Sequence, residues 1–174
     1  MRSLALLSVV MVLFSLFGCK DNGSVSRSEG VLQLFLTDKP AKLEKVNVTI
    51  GEIDIHQTGG PWKVFLQSTK TFDLLELKNT QALLAMGDLP DGMYTGLRLR
   101  VQSGQVLWTD GQTCELTVPS DKIQVPVVFE IQKGALTKVV LDFDAEESVH
   151  VIRTGDNQRC ILRPVLKPVS VTND

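Results

Sequence analysis

Asp142, Asp144, Glu146 and Glu147 fall within six residues of one another, and His150 follows closely. Along a strand, alternation would place Asp142 and Asp144 on one face. Two carboxylates there can converge on a hard cation such as Ca²⁺, which takes several oxygen ligands. The glycine and the ligand spacing of an EF-hand loop are missing. The competing reading is a solvated acidic strand end, or carboxylates paired across strands with Arg98 and Arg100, which share a face of another strand. No metal site is therefore assigned, and Asp142 and Asp144 stand as the weak candidates for one.

Trp62, Trp108 and Tyr94 form a second set. Their rings could make an aromatic platform for a glycan, and Trp108 lies next to the turn sequence Thr109-Asp110-Gly111. Packing in the core or at its rim is the competing role for each ring. His56 and His150 are the only histidines, and neither has a partner visible in the sequence. Asp38, before Lys39-Pro40, reads as a turn residue whose side chain caps the backbone. There is no Gly-x-Ser-x-Gly, no His-Glu-x-x-His and no Gly-rich phosphate loop. No catalytic residue is assigned and no cofactor is expected.

The elements that must hold these residues are short strands. Leu32, Leu34 and Leu36 alternate with Gln33, Phe35 and Thr37. Val46, Val48 and Ile50 keep the same period of two, and then Ile53 and Ile55 fall on the opposite parity after Gly51. A one-residue slip of phase at a glycine predicts a β-bulge, so 44–57 reads as one bent strand or two short ones. Alternation returns at Leu97, Leu99 and Val101 and at Val139, Leu141 and Phe143, and Val149 and Val151 flank His150. Weaker strand signals cover 62–66, 70–75, 105–109, 113–118, 126–131, 159–163 and 165–171. Turn signals separate them at Gly59-Gly60-Pro61, Asp91-Gly92, Asp110-Gly111, Pro119-Ser120-Asp121 and Gly155-Asp156-Asn157. The stretch Thr80 to Gly87 is rich in helix formers and ends in glycine, which predicts a short helix crossing one end. The expected fold is all-β, an antiparallel β-sandwich of about ten short strands with one short helix.

The N-terminus carries a different kind of signal. Arg2 is followed by an apolar run from Leu4 to Phe17, broken only by Ser8 and Ser15, and then by Gly18-Cys19. A basic start, an apolar run of this length and a small residue before the cut are the parts of a secretory signal peptide. The run is short for a bilayer span, which takes about 20 apolar residues. The expected organisation is a signal peptide over 1–18, a lipidated Cys19 with a flexible polar tether over 19–30, and one β-sandwich domain over 31–174. Leu16-Phe17-Gly18-Cys19 resembles the lipobox of bacterial lipoproteins, with Phe17 departing from the usual small or β-branched residue. That resemblance implies acylation of Cys19, palmitate among the chains, and a membrane contact through the N-terminal lipid. Lys20 stands where an Asp resembles an inner-membrane retention signal, which favours the outer membrane. Lys20-Asp21 also resembles the start of the acidic export signal of some surface lipoproteins.

The chain has 174 residues and a formal net charge of −2, with 43 % hydrophobic and 22 % charged residues. That is ordinary globular usage, and the scattered basic residues offer no footprint for nucleic acid. Of three cysteines, lipid would consume one. Export would place Cys114 and Cys160 in an oxidising compartment, so a disulfide between them is expected; two separate buried thiols are the alternative.

Several segments in order resemble the domain-of-unknown-function 4382 family of exported bacterial and archaeal proteins, often lipoproteins. They are Leu36-Thr37-Asp38-Lys39-Pro40-Ala41, Val46 to Ile55, Trp62, Phe72-Asp73-Leu74-Leu75, Leu89-Pro90-Asp91-Gly92-Met93-Tyr94, Pro119-Ser120, Leu141-Asp142-Phe143-Asp144 and Leu162-Arg163-Pro164. The resemblance covers roughly 30–171 and implies fold and export rather than an activity. Pro90-x-Gly92-x-Tyr94 also resembles a turn in transthyretin-like and carboxypeptidase-regulatory-like sandwiches, an analogy of fold.

The expected protein is an envelope or cell-surface lipoprotein, periplasmic or on the outer face of the outer membrane. Its expected role is that of a non-enzymatic binding or adhesion module for a glycan or protein ligand met by loops at one end of the sandwich. The alternative is a structural accessory subunit docking edge to edge with another envelope protein, and a third reading is a hydrolase using the acidic cluster.

Overall fold

A computed structural model describes residues 28–38, 44–154 and 157–174. The proposed signal peptide, Cys19 and most of the tether lie outside the described residues. The described chain is an all-β sandwich of two facing sheets. The small sheet has the order β12-β9-β1-β5, with β1 Glu29–Thr37, β5 Ala82–Pro90, β9 Leu136–Phe143 and β12 Leu166–Asn173. The large sheet has the order β10-β11-β7-β6-β2-β3. Its strands are β2 Lys45–Gln57, β3 Trp62–Leu66, β6 Gly92–Leu107, β7 Thr113–Thr117, β10 Val149–Thr154 and β11 Asn157–Leu162. Two further strands share its long edges: β4 Lys70–Asp73 pairs with β2, and β8 Lys122–Ile131 pairs with β6.

The alternation in sequence is the alternation in space. Leu32, Leu34 and Leu36 of β1 and Val139, Leu141 and Phe143 of β9 are buried from one side of the core. Val46, Val48, Ile50, Ile53 and Ile55 of β2 and Leu97, Leu99 and Val101 of β6 meet them from the other. The phase slip at Gly51 is a bulge: Ile50 pairs with Val101 but Ile53 with Leu99, so β2 carries one residue more than β6 there.

The sheets are mixed rather than purely antiparallel. β1 runs parallel to β9, from Val31 opposite Leu136 to Thr37 opposite Asp142. β11 runs parallel to β7 through Cys160↔Leu116 and Ile161↔Thr117. The expected helix at 80–87 is wrong: this stretch is most of β5, paired with β1. A register shift at Leu34/Phe35 leaves Leu84 and Ala85 both buried. Two adjacent buried residues break the period of two, which made a strand look helical. Tertiary pairing overrides helix propensity here. The helical turns lie elsewhere, as a 3-10 turn at Leu74–Leu77 and as α1 at Ala145–Ser148.

Tyr94 is not part of an exposed platform. It is 1 % exposed, stacks on Phe129 with ring centroids 5.3 Å apart, and donates its hydroxyl to the Pro90 carbonyl at 2.8 Å. A tyrosine bonded to backbone a few residues upstream is the arrangement of a tyrosine corner. Burial pushes the phenol pKa above 10.0, and the neighbouring Asp91 carboxylate acts in the same direction. The folded state thus holds the neutral phenol, and its contribution is complete below the ordinary pKa. That contribution drains as the pH rises above 10.0, where the unfolded chain ionises first. Tyr94→Phe is expected to lower stability by about 1 kcal/mol at neutral pH and to flatten this alkaline loss. Urea unfolding at several pH values measures both.

Candidate binding face

The acidic cluster is occupied with local structure. Strand β9 ends at Phe143, so Asp144 does not continue the face of Asp142 but caps α1, its Oδ1 accepting from the Glu147 N–H at 3.0 Å. Asp38 reaches far beyond its own turn in sequence. Its Oδ1 accepts from the Ala145 N–H at 2.9 Å, across 107 residues of sequence. The Ser148 hydroxyl donates to the Asp144 carbonyl and accepts from the Val165 N–H at 2.9 Å, binding this turn to the entry of β12. Glu147 pairs with Lys167 at 3.1 Å in solvent. Among the described residues no group of three or more His, Cys, Asp or Glu side chains is placed to hold a metal ion.

Arg98 and Arg100 face other partners than Asp142 and Asp144. Both lie on β6, on the side of the large sheet away from the core, because Leu97, Leu99 and Val101 take the inner side. Arg98 Nη1 is 3.5 Å from Asp54 Oδ2 on β2. Arg100 lies 3.7 Å from Glu52 and 3.7 Å from Asp121. Asp54 is 7 % exposed although it sits on the outer face, so its carboxylate is held beneath the surface layer with a cation beside it, as a buried charge requires.

The surface layer at this point includes Trp62. It opposes His56 across the β2–β3 pair. Its ring reaches β6, where the Arg98 guanidinium lies 4.1 Å from the ring centroid, and the His56 ring on β2 lies 5.1 Å from it. His56 is fixed in turn by a 2.7 Å hydrogen bond between Nδ1 and the Thr95 hydroxyl. Gly96 makes room for the indole: a Cβ there would stand 3.1 Å from Trp62 Cη2. Gly96→Ala is therefore expected to push the ring outward and raise its accessibility. Acrylamide quenching of Trp62, read with Trp108→Phe as background, should increase.

Two to four residues farther along β6 from Arg98, a polar cleft of about 300 Å³ opens between the β3–β4 loop and the sheet. Glu52, Gln67, Ser68, Thr69, Arg100 and Gln102 line it. Gln67 donates to Glu52 at 3.3 Å. The Gln102 side chain lies over Gly51, where any Cβ would collide with it. The bulge at Gly51 thus also shapes the cleft.

Trp108 does not join Trp62. It follows Leu107, the last residue of β6, and packs against the core, beside a turn closed by Gly111 N–H to Trp108 O at 2.9 Å. It lies twelve residues beyond Gly96 along the strand, roughly 40 Å at strand rise. The cysteines are brought together: Cys114 and Cys160 are bridged, with their Cα atoms 6.1 Å apart. Sequence reasoning singled out Trp62 and the shared face of Arg98 and Arg100 but missed Asp54 and Glu52. The signal for them was their parity, opposite to that of Ile53 and Ile55.

Fold and face together define an all-β sandwich that presents, on the outside of its larger sheet, one fixed indole and a row of paired charged and amide side chains. Residues 29–164 match the domain of unknown function DUF4382, and the chain belongs to that family. No curated protein and no solved structure matches it.

Proposed function

We propose that this protein is an exported, lipid-anchored, non-enzymatic binding or adhesion module that takes its ligand on the outer face of the large sheet. The observation that carries this is the pre-ordered strip of Trp62, Arg98 and Arg100, each fixed by neighbours before any ligand arrives. Fixed side chains lose little entropy on binding, which favours affinity. The face replaces the loop end expected from the sequence, because Trp62 stands on a strand. A combined glycan and peptide array probed with the full chain tests this reading. Ligands retained by the wild type should be lost in Arg98→Ala and kept in Trp108→Phe; retention that ignores Arg98 and Trp62 would sink it.

A specific feature favours the accessory-subunit reading as second choice. β10 is an edge of the large sheet, and Val151 and Ile152, on its two faces, are 37 % and 47 % exposed. The β8 and β12 edges contain Pro126 and Pro168, residues that discourage strand addition; no proline interrupts β10. Co-purification of a single protein, abolished by Ile152→Lys, would favour this role. For delivery, no helix among the described residues is long and apolar enough to cross a membrane, and the proposed anchor is the lipid on Cys19.

A further inference from the structure

We propose that the outer face of the large sheet binds a short neutral oligosaccharide, one sugar ring stacking on Trp62 and the next units bonding along Arg98, Arg100 and the Gln67–Gln102 cleft. This rests on the reading of the chain as a binding module and names the ligand class. The ligand follows from the chemistry of the strip. An indole offers a flat apolar surface with a negative π face, which suits the C–H face of a pyranose. Guanidinium, carboxylate and amide groups are planar and present paired donors or acceptors, which suits adjacent hydroxyls.

The sign of the ligand follows from the balance of charge. Arg98, Arg100 and Lys122 on this face stand against Asp54, Glu52 and Asp121, and both arginines have carboxylates within 3.7 Å. An anionic ligand would have to displace a carboxylate from a guanidinium, one of them largely buried. An organic cation stacking on the indole would bring a second positive charge to a ring whose centroid is already 4.1 Å from the Arg98 guanidinium. A neutral polyol needs neither, because it can accept from the free guanidinium N–H groups and donate to the second carboxylate lone pairs. The strip sets the length. From Arg98 to Gln102 is four residues, about 13 Å, and Trp62 extends it sideways across β2. That matches several linked sugars rather than one.

The test uses the full chain in a non-glycosidic detergent with Trp108→Phe, so that Trp62 is the only indole. It is titrated with neutral oligosaccharides covering common α- and β-linked hexose and pentose backbones, and with oligogalacturonate and a heparin oligosaccharide as charged counterparts. A neutral oligosaccharide is expected to shift Trp62 emission, with calorimetric affinity nearly independent of salt. Trp62→Ala should weaken binding about tenfold or more. Trp62→Phe, which keeps a ring over Gly96, should fall between the two and serves if the alanine variant unfolds. Gln102→Ala should weaken longer oligosaccharides and leave disaccharides unchanged. Binding of only the charged sugars, falling with salt, overturns the inference. So does the absence of any neutral sugar that shifts Trp62. If peptides then bind in a Trp62-dependent way, the module reading stands while the sugar fails; if no ligand of either class depends on Trp62 or Arg98, both fail.

Discussion

Cys114→Ala combined with Cys160→Ala is expected to remove about 4 kcal/mol of stability, the chain-entropy value for a closed loop with a separation of 46 residues. For a domain of this size that is a fall in Tm of roughly 8–16 °C. The position of the bridge is why a large share of that value should be realised. The β10–β11 hairpin adds to the large sheet through only two residue pairs, Cys160↔Leu116 and Ile161↔Thr117. The bridge ties the same two strands two residues away on β7. Cys160 is 2 % exposed and Leu162 fully buried, so a loosened hairpin would draw core groups toward water. Alanine is the right replacement, because serine at position 160 would bury an extra hydroxyl. Thermal unfolding of the oxidised wild type, the reduced wild type and the double variant should place the last two together, well below the first. A double variant within about 2 °C of the oxidised protein would mean that packing of Leu162 and Val149 holds the hairpin without the covalent tie.

Cys19→Ser should move the protein from the detergent phase to the aqueous phase or stop its maturation. This follows from the proposed lipid anchor and the apolar run that ends at Gly18-Cys19. Each acyl CH₂ buried in a bilayer contributes about 0.8 kcal/mol, and a single chain anchors only weakly. Removal of every chain at once should therefore abolish partitioning rather than reduce it. Detergent-phase separation and the mass of the mature N-terminus read the result. An unchanged partition with an unchanged N-terminal mass would rule out the lipid anchor.

The fold was legible wherever one face of a strand is buried and the other wet. Leu32-Leu34-Leu36 and Val46-Val48-Ile50 declare themselves, and so does the slip at Gly51, because a bulge shifts the parity of everything after it. β5 was not legible, since its own bulge buries Leu84 and Ala85 side by side and its residues favour a helix. Nor was the parallel pairing of β1 with β9, which depends on a contact between segments about a hundred residues apart. The same distance hid the role of Asp38. Its carboxylate serves the backbone of Ala145, and nothing near residue 38 announces that. On the binding face, residue types were readable and partners were not. Trp62 drew notice as an aromatic ring, and Arg98 and Arg100 as a shared face. Pairing them with Asp54 and Glu52 requires knowing that β2 lies beside β6.

The order β12-β9-β1 leaves the start of β1 and the finish of β12 on the same end of the sandwich, one strand apart from each other. Leu136 exchanges backbone hydrogen bonds of 3.0 and 2.9 Å with Asp174, and Gly134 donates to the Glu29 carbonyl at 2.9 Å. Two strand spacings separate them, about 10 Å, a gap that three or four linker residues can close. Between Glu29 and Asp174 the sandwich is thus close to a ring in its connectivity, and such domains tolerate new ends at exposed turns. Opening it at Asp110-Gly111, at the far end of β6, would give a permuted protein with the same core and the same Trp62 face. An N-terminal tether on that permutant would leave from the opposite pole, so the sandwich would hang inverted from whatever holds it, its face unchanged but its orientation reversed.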